Sequence, residues 1–454
     1  MSNRRLSLVV LVAVVFLLPT WLVSATEGGA VSQLAAAPQP DAAVESLLGP
    51  EQLISWDPTM PETDRYAADL AFNWVRGEYL VVWHNNWPGG KQDIYARRVA
   101  LDGRLLSWFA VSDLPNNCLQ PAVAYDAANA QYLVVWMYDV AADSSKKEEY
   151  EIWGRIIDWN GPGNRSSFQI MSWSNRSFRS PRVVWNHNRG HYLVVWNAFD
   201  TTLALPTGLP NDIAGRRVYA GGGMDASATI FSVSNTYYPQ QVDLAYSWSK
   251  DEWFIAYVRS YLQTATSNDI YGRRIAYDSS SGALVPGAVV PINTEPKHQN
   301  APAVVVDGLG GMMVVFEHEY NAADHDIYGQ ELDASGNKVG AKIPIRNSTL
   351  DEVHPDVTAS FDASPEYVAV WQEETATGQA VRLRRWGPGL PLEYEVVSDV
   401  GLWESTSPAI AGGRPNYLTL YAGESPGDPT VVRHIYGRKW VGNVAFLPLI
   451  VRNP

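Results

Sequence analysis

An apolar pentapeptide returns seven times along this 454-residue chain. It reads Tyr79-Leu80-Val81-Val82-Trp83, then Tyr132-Leu133-Val134-Val135-Trp136, Tyr192-Leu193-Val194-Val195-Trp196 and Trp253-Phe254-Ile255-Ala256-Tyr257. Looser copies follow at Met312–Phe316, Tyr367–Trp371 and Tyr417–Tyr421, with successive starts 53, 60, 61, 59, 55 and 50 residues apart. A period of that length means one supersecondary unit copied in tandem, each burying its apolar faces against its neighbours.

Three further segments keep a fixed place around each pentapeptide. Ahead of it stand openings such as Pro121-Ala122-Val123-Ala124-Tyr125 and Pro302-Ala303-Val304-Val305-Val306, joined to it by short polar turns. Behind it come Asp93-Ile94-Tyr95-Ala96-Arg97-Arg98, Glu151-Ile152-Trp153-Gly154-Arg155, Asp212-Ile213-Ala214-Gly215-Arg216-Arg217, Asp269-Ile270-Tyr271-Gly272-Arg273-Arg274 and Asp326-Ile327-Tyr328-Gly329-Gln330. The sixth copy degenerates to Ala380–Arg385, and the seventh is His434–Lys439. A last strand, such as Phe168–Ser172 or Tyr394–Ser398, closes each unit; Pro291 and Pro344 lie in two of them and mark an edge strand, because proline gives the ladder no N–H.

Each unit therefore predicts a four-stranded antiparallel meander. Fifty to sixty residues are too few for an immunoglobulin-like sandwich of about 100 but near the length of a propeller blade. The pentapeptide is apolar on both faces, as a strand sandwiched between two blades must be. The seventh repeat lacks its fourth strand, while Glu51-Gln52-Leu53-Ile54-Ser55 carries that strand's pattern ahead of repeat one. The prediction is an all-β, seven-bladed propeller whose last blade is completed by the N-terminal strand, leaving no open edge. This strand grammar, from about Leu53 to Trp440, resembles the tandem propeller repeats of many exported bacterial proteins. The resemblance implies architecture and is nearly silent on function.

The ends suggest export. Arg4 and Arg5, an apolar run from Leu8 to Leu18 and Val23-Ser24-Ala25 read as a signal peptide over 1–25. Residues 26–50, rich in Ala, Gly and Pro, read as a flexible spacer; 51–440 form the propeller, and 441–454 an apolar tail. That tail, Phe446–Pro454, resembles short C-terminal tails on exported proteins of filamentous phototrophic bacteria. Cys118 is the only cysteine, which rules out a disulfide framework and a multi-thiolate zinc site. Without Arg4 and Arg5 the chain keeps 32 basic against 48 acidic residues, a net −16 that opposes nucleic acid and anionic membranes. A monomeric chain without a membrane span after processing, secreted or held at the envelope, is expected.

Within the repeat, the Asp and first Arg stand four apart on one strand face. They are expected to tie blades together by ion pairs and hydrogen bonds, with the intervening Gly admitting an aromatic from the adjacent blade. Function is expected on the face that gathers the connections between second and third strands and between blades, where 9, 14, 15, 11, 9, 8 and 12 residues intervene. That rim would display His84, Asn85, Asn86 and Trp87 from blade one, Tyr138 and Asp139 from blade two, and Phe199 and Asp200 from blade three. Arg259 and Tyr261 come from blade four, Glu317, His318 and Tyr320 from blade five, and Glu373 and Glu374 from blade six. Rings beside acids and amides suit a glycan or a peptide. Glu317, His318, Glu319 and Asp324 could hold a metal ion, calcium above all; no other cofactor motif occurs.

Catalytic motifs fare poorly. Gly423-Glu424-Ser425-Pro426-Gly427 matches the serine-hydrolase string, but that chemistry needs a strand-to-helix elbow, which an all-β chain does not provide. The reading is a non-catalytic extracellular binding or scaffold module for a glycan, peptide or envelope partner. The alternative is a polysaccharide-acting hydrolase using acids on the same face.

Overall fold

The computed structural model describes residues 48–441, apart from 60–62, 141–148, 201–211, 234–236, 262–267, 322, 362–364, 377, 388–389, 399–402, 414–415 and 425–431. The segment read as signal peptide, residues 442–454 of the segment read as tail, and Ser425 of the hydrolase-like string lie outside the described residues, while Val441, read as the start of the tail, ends a strand. Among the described residues, twenty-eight strands form seven four-stranded antiparallel sheets. Blade one runs Asp64–Asn73, Glu78–Asn86, Gln92–Ala100 and Leu105–Ala110 from inner to outer strand. Each inner strand touches that of the next blade, and blade seven's inner strand touches blade one's, which closes the ring. The protein is a seven-bladed β-propeller.

Closure is as the repeat predicts. Leu48–Leu53 pairs antiparallel with Arg433–Val441, placing Leu53 opposite Tyr436. The Ser55 hydroxyl then accepts from the Ile435 N–H at 2.9 Å. The closing strand starts at Leu48, before the Glu51 at which the sequence reading opens the propeller.

The pentapeptides form the core. Tyr79 to Trp83, Tyr132 to Trp136 and Tyr192 to Trp196 are buried on both faces, packed between consecutive blades. Third-strand glycines fit closely: a Cβ on Gly215 would lie 2.6 Å from the Phe231 ring and 2.7 Å from the Val194 carbonyl. Phe231 belongs to the outer strand of the same blade, Thr229–Val233, so the partner is not the neighbouring blade expected from sequence.

The first arginine of the third strand does join blades, by reaching past its own sheet. Arg97 Nη1 donates to the Ile54 carbonyl at 2.7 Å, Arg155 to Val111 at 2.8 Å, Arg216 to Ile170 at 2.7 Å and Arg438 to Val397 at 3.0 Å. Arg273 and Arg384 make the same bond to Phe231 and Ile345. Blade five has Gln330 at this place, and Lys338 Nζ approaches the Ile292 carbonyl instead, at 3.5 Å. The acid four residues earlier turns elsewhere: Asp93 to Lys91, Glu151 to the Trp153 indole and Asp212 to Arg176. The clasp is therefore guanidinium to carbonyl, because on an extended strand residues four apart lie about 13 Å from each other.

Candidate functional site

All seven inner strands bulge at one level, just ahead of Asp69, Ala122, Arg182, Asp243, Ala303, Asp356 and Ala409. In five blades the bulge residue has positive φ: Gln120 47°, Ser180 51°, Gln241 48°, Ala301 45° and His354 54°. A following proline disfavours the right-handed helical region for four of these, Gln120, Ser180, Ala301 and His354. The bulges line an axial cavity of about 440 Å³.

The cavity carries carboxylates that do structural work. Asp69 Oδ2 accepts from the Val123 N–H, Asp243 Oδ2 from Val304 and Asp356 Oδ2 from Ile410, each at 2.8 Å and each from the next blade. Protein surrounds these acids although the channel leaves them partly accessible, and burial raises their affinity for protons. Asp69 is pushed up to about 6 and Asp356 to about 7; burial raises Asp243 as well, with Arg182 at 3.5 Å opposing the shift.

The rim departs from the sequence expectation because the second strands run on past the pentapeptide, to Asn86, Asp139, Asp200, Tyr261, Asn321 and Thr375. His84 is thus buried, stacked on Tyr66 at 5.5 Å, and burial pushes its imidazole down to about 4. Asn85 accepts from the Trp83 indole at 2.7 Å. Asn86 and Trp87 are half-buried, with Trp87 edge-on to Tyr95 at 5.8 Å. Tyr138 packs on Trp153 at 5.3 Å, and Asp139 is held through its backbone to Asn116 and Asn117. Phe199 lies beneath Arg179, and Arg259 covers Tyr271 at 3.9 Å. The side chains of Asp200 and Tyr261 lie outside the described residues. Glu373 is not displayed at all: it is buried between Arg346 Nε at 2.8 Å and Arg382 Nε at 2.9 Å, while Glu374 beside it is exposed.

The metal reading is not supported by the geometry. Glu317 and His318 are successive strand residues and face opposite sides. Glu317 meets His354 of blade six, whereas His318 packs against Tyr320 and Tyr328 of its own blade. Glu319 and Asp324 are half-buried, and among the described residues no group of three or more His, Cys, Asp or Glu could hold an ion. Cys118 opens the inner strand of blade two, and burial pushes its thiol up to about 12.

The structure instead assembles a cluster at the channel mouth between blades five and six. The Glu317 carboxylate accepts from the His354 N–H at 2.6 Å and lies 3.7 Å from the His354 ring, which lines the channel and is 57% exposed. Beside it, His325 Nδ1 meets Asp351 Oδ1 at 2.5 Å. Burial raises the Glu317 carboxyl above its ordinary range, against the pull of both histidines. Below it, Glu352 is buried near Glu373 and Asp326 and is pushed up to about 7. Sequence reasoning singled out Glu317 but missed Asp351 and His354. Their one signal is the acid-rich link Asp351-Glu352-Val353-His354 ahead of Pro355.

No protein-family model matches the chain, and neither does any curated protein. Solved structures do. A protein of unknown function from Dyadobacter fermentans shares the fold at a TM-score of 0.51, over 86% of this chain and 98% of its own, with 10% identity. An ulvan lyase of a polysaccharide lyase family does so at 0.52, over 84% and 94%, with 11% identity. The likeness is one of fold.

Proposed function

We propose that this chain is an exported, non-catalytic binding module that holds a polysaccharide at the channel mouth beside blades five and six. The reading rests on one observation: His354, strained, exposed and lining the cavity, is fixed by Glu317 beside the His325–Asp351 pair. Strained residues persist where the surrounding structure over-determines them, often at ligand clamps. Imidazoles, which can give and accept hydrogen bonds, and carboxylates, which accept them, together suit sugar hydroxyls. A rim of this kind on a rigid ring is where propeller-like scaffolds place variable contacts.

A second reading, cleavage, is favoured by one feature. A carboxyl raised by burial beside an imidazole held by a carboxylate supplies an acid and a base on one rim. The ulvan lyase named above, a protein of similar fold, acts on a polysaccharide, which is in keeping with this reading. Incubation with soluble polysaccharides separates the two readings. Retention without new reducing ends or unsaturated products, weakened by His354→Ala, supports binding; product release abolished by Glu317→Gln supports cleavage. Neither retention nor release removes both.

A further inference from the structure

In each blade the hairpin that joins the inner strand to the second turns at the end of the ring away from the His354 cluster. His354 stands near the start of Glu352–Ala359, and Phe361 lies just past its end. Four of the described turns hold a large apolar side chain in solvent: Trp74 in blade one, 68% exposed, Trp248 in blade four, 43%, Leu309 in blade five, 60%, and Phe361 in blade six, 67%. The last three sit side by side, because their turns touch. A Cβ on Gly308 would lie 2.5 Å from the Phe361 backbone, and one on Gly310 would strike the Ser249 hydroxyl next to Trp248. Single exposed rings need no explanation, but contiguous ones mark an interaction surface.

The third strand of each blade ends on this same face. In blade seven that strand is Arg433–Val441, and Val441 pairs with Asn416, the first residue of the second strand. Residues 442–454 therefore leave the described structure at the apolar end of the ring, carrying the run Phe446-Leu447-Pro448-Leu449-Ile450-Val451. The reach fits. Phe361 stands one blade across and two strands in from Val441, about 10 Å in each direction, and residues 442–445 span about 13 Å when extended. Leu309 is one blade further, about another 10 Å, which the next four residues cover.

We propose that Phe446–Val451 docks across Phe361 toward Leu309 and Trp248, so that the apolar end of the ring is covered by the chain's own tail. A tether of four residues, 442–445, holds this segment over the patch at an effective concentration in the millimolar range, and modest apolar contact is then enough to keep it there. A second copy has to overcome repulsion between chains of formal net charge −14, whereas the tail beyond Val441 brings one charge, the positive Arg452. Pro448 suits such a strap, since it fixes its own φ and keeps Leu447 extended.

The test is disulfide trapping in the full chain. The one native cysteine, Cys118, is buried with its thiol pushed up to about 12, and stays out of the exchange. Blades five and two are each two steps round the ring from blade seven, in opposite directions. Leu449→Cys is therefore combined with Leu309→Cys in one protein and with Ala128→Cys, exposed in the blade-two turn, in another. Under mild oxidation the Leu309 pair is expected to close about tenfold faster than the Ala128 pair, because docking raises its effective concentration. Phe361→Ser, on the surface and safe for folding, is expected to bring the two rates together. Equal rates without that substitution describe a tail that does not dock and overturn the proposal. So does a Leu309→Cys chain that cross-links to a second copy, seen as a dimer on a non-reducing gel, in place of its own tail.

Discussion

Replacing Arg216 with alanine tests how the blades are fastened. Its guanidinium donates to the Ile170 carbonyl of blade two at 2.7 Å, and to Asp225 and Ala226 carbonyls at 2.6 and 2.9 Å. Bonds from a charged donor contribute about 1.5–3 kcal/mol each, net of water. The Asp225–Ala226 turn is wet enough for solvent to replace most of its share, so the inter-blade bond dominates and the loss is about 2–4 kcal/mol. Unfolding entropy of about 2.1 cal/mol/K per residue gives roughly 0.8 kcal/mol/K for a ring of this size melting as one unit. Calorimetry of Arg216→Ala should then show Tm lower by about 3–5 °C. Arg104→Ala is the control, since Arg104 and Asp102 are both exposed and such pairs contribute little. A Tm for Arg216→Ala indistinguishable from the control would refute the clasp.

Gly215→Ala forces a Cβ against Phe231 and the Val194 carbonyl, and should cost about 1–3 kcal/mol. Gly221→Ala meets nothing within 4 Å and should be silent in the same denaturant titration. Asp356, pushed up to about 7, binds its proton more tightly folded than unfolded. Its contribution is therefore complete near pH 4 and lost as pH rises through 7. Asp356→Asn stays neutral, so its Tm relative to the native chain should climb between pH 5 and pH 8; a difference that is flat with pH would show that Asp356 titrates normally.

The ring was legible because its signals are periodic. Seven pentapeptides apolar on both faces leave few packings, and the spare strand around Leu53 announced its own partner. The rim was less legible, since polarity was taken for exposure. His84, Glu317, His318 and Glu373 follow the pentapeptides and look like loop residues, yet their strands continue and bury them: His84 and His318 pack on rings of their own blades, while Glu317 meets His354 and Glu373 meets Arg346 across a blade boundary. Asp351 and His354 come together with Glu317 and His325 only through packing between two blades, which no spacing within one repeat reveals.

The pairing of Leu48–Leu53 with Arg433–Val441 also sets an order of events. The strand made first must wait for the strand made last, with nearly the whole chain between them. Until then blade seven has a bare edge, able to pair with a strand from another molecule. Contacts of such long range form slowly, so the interval before sealing is the stage at which this protein is most exposed to aggregation.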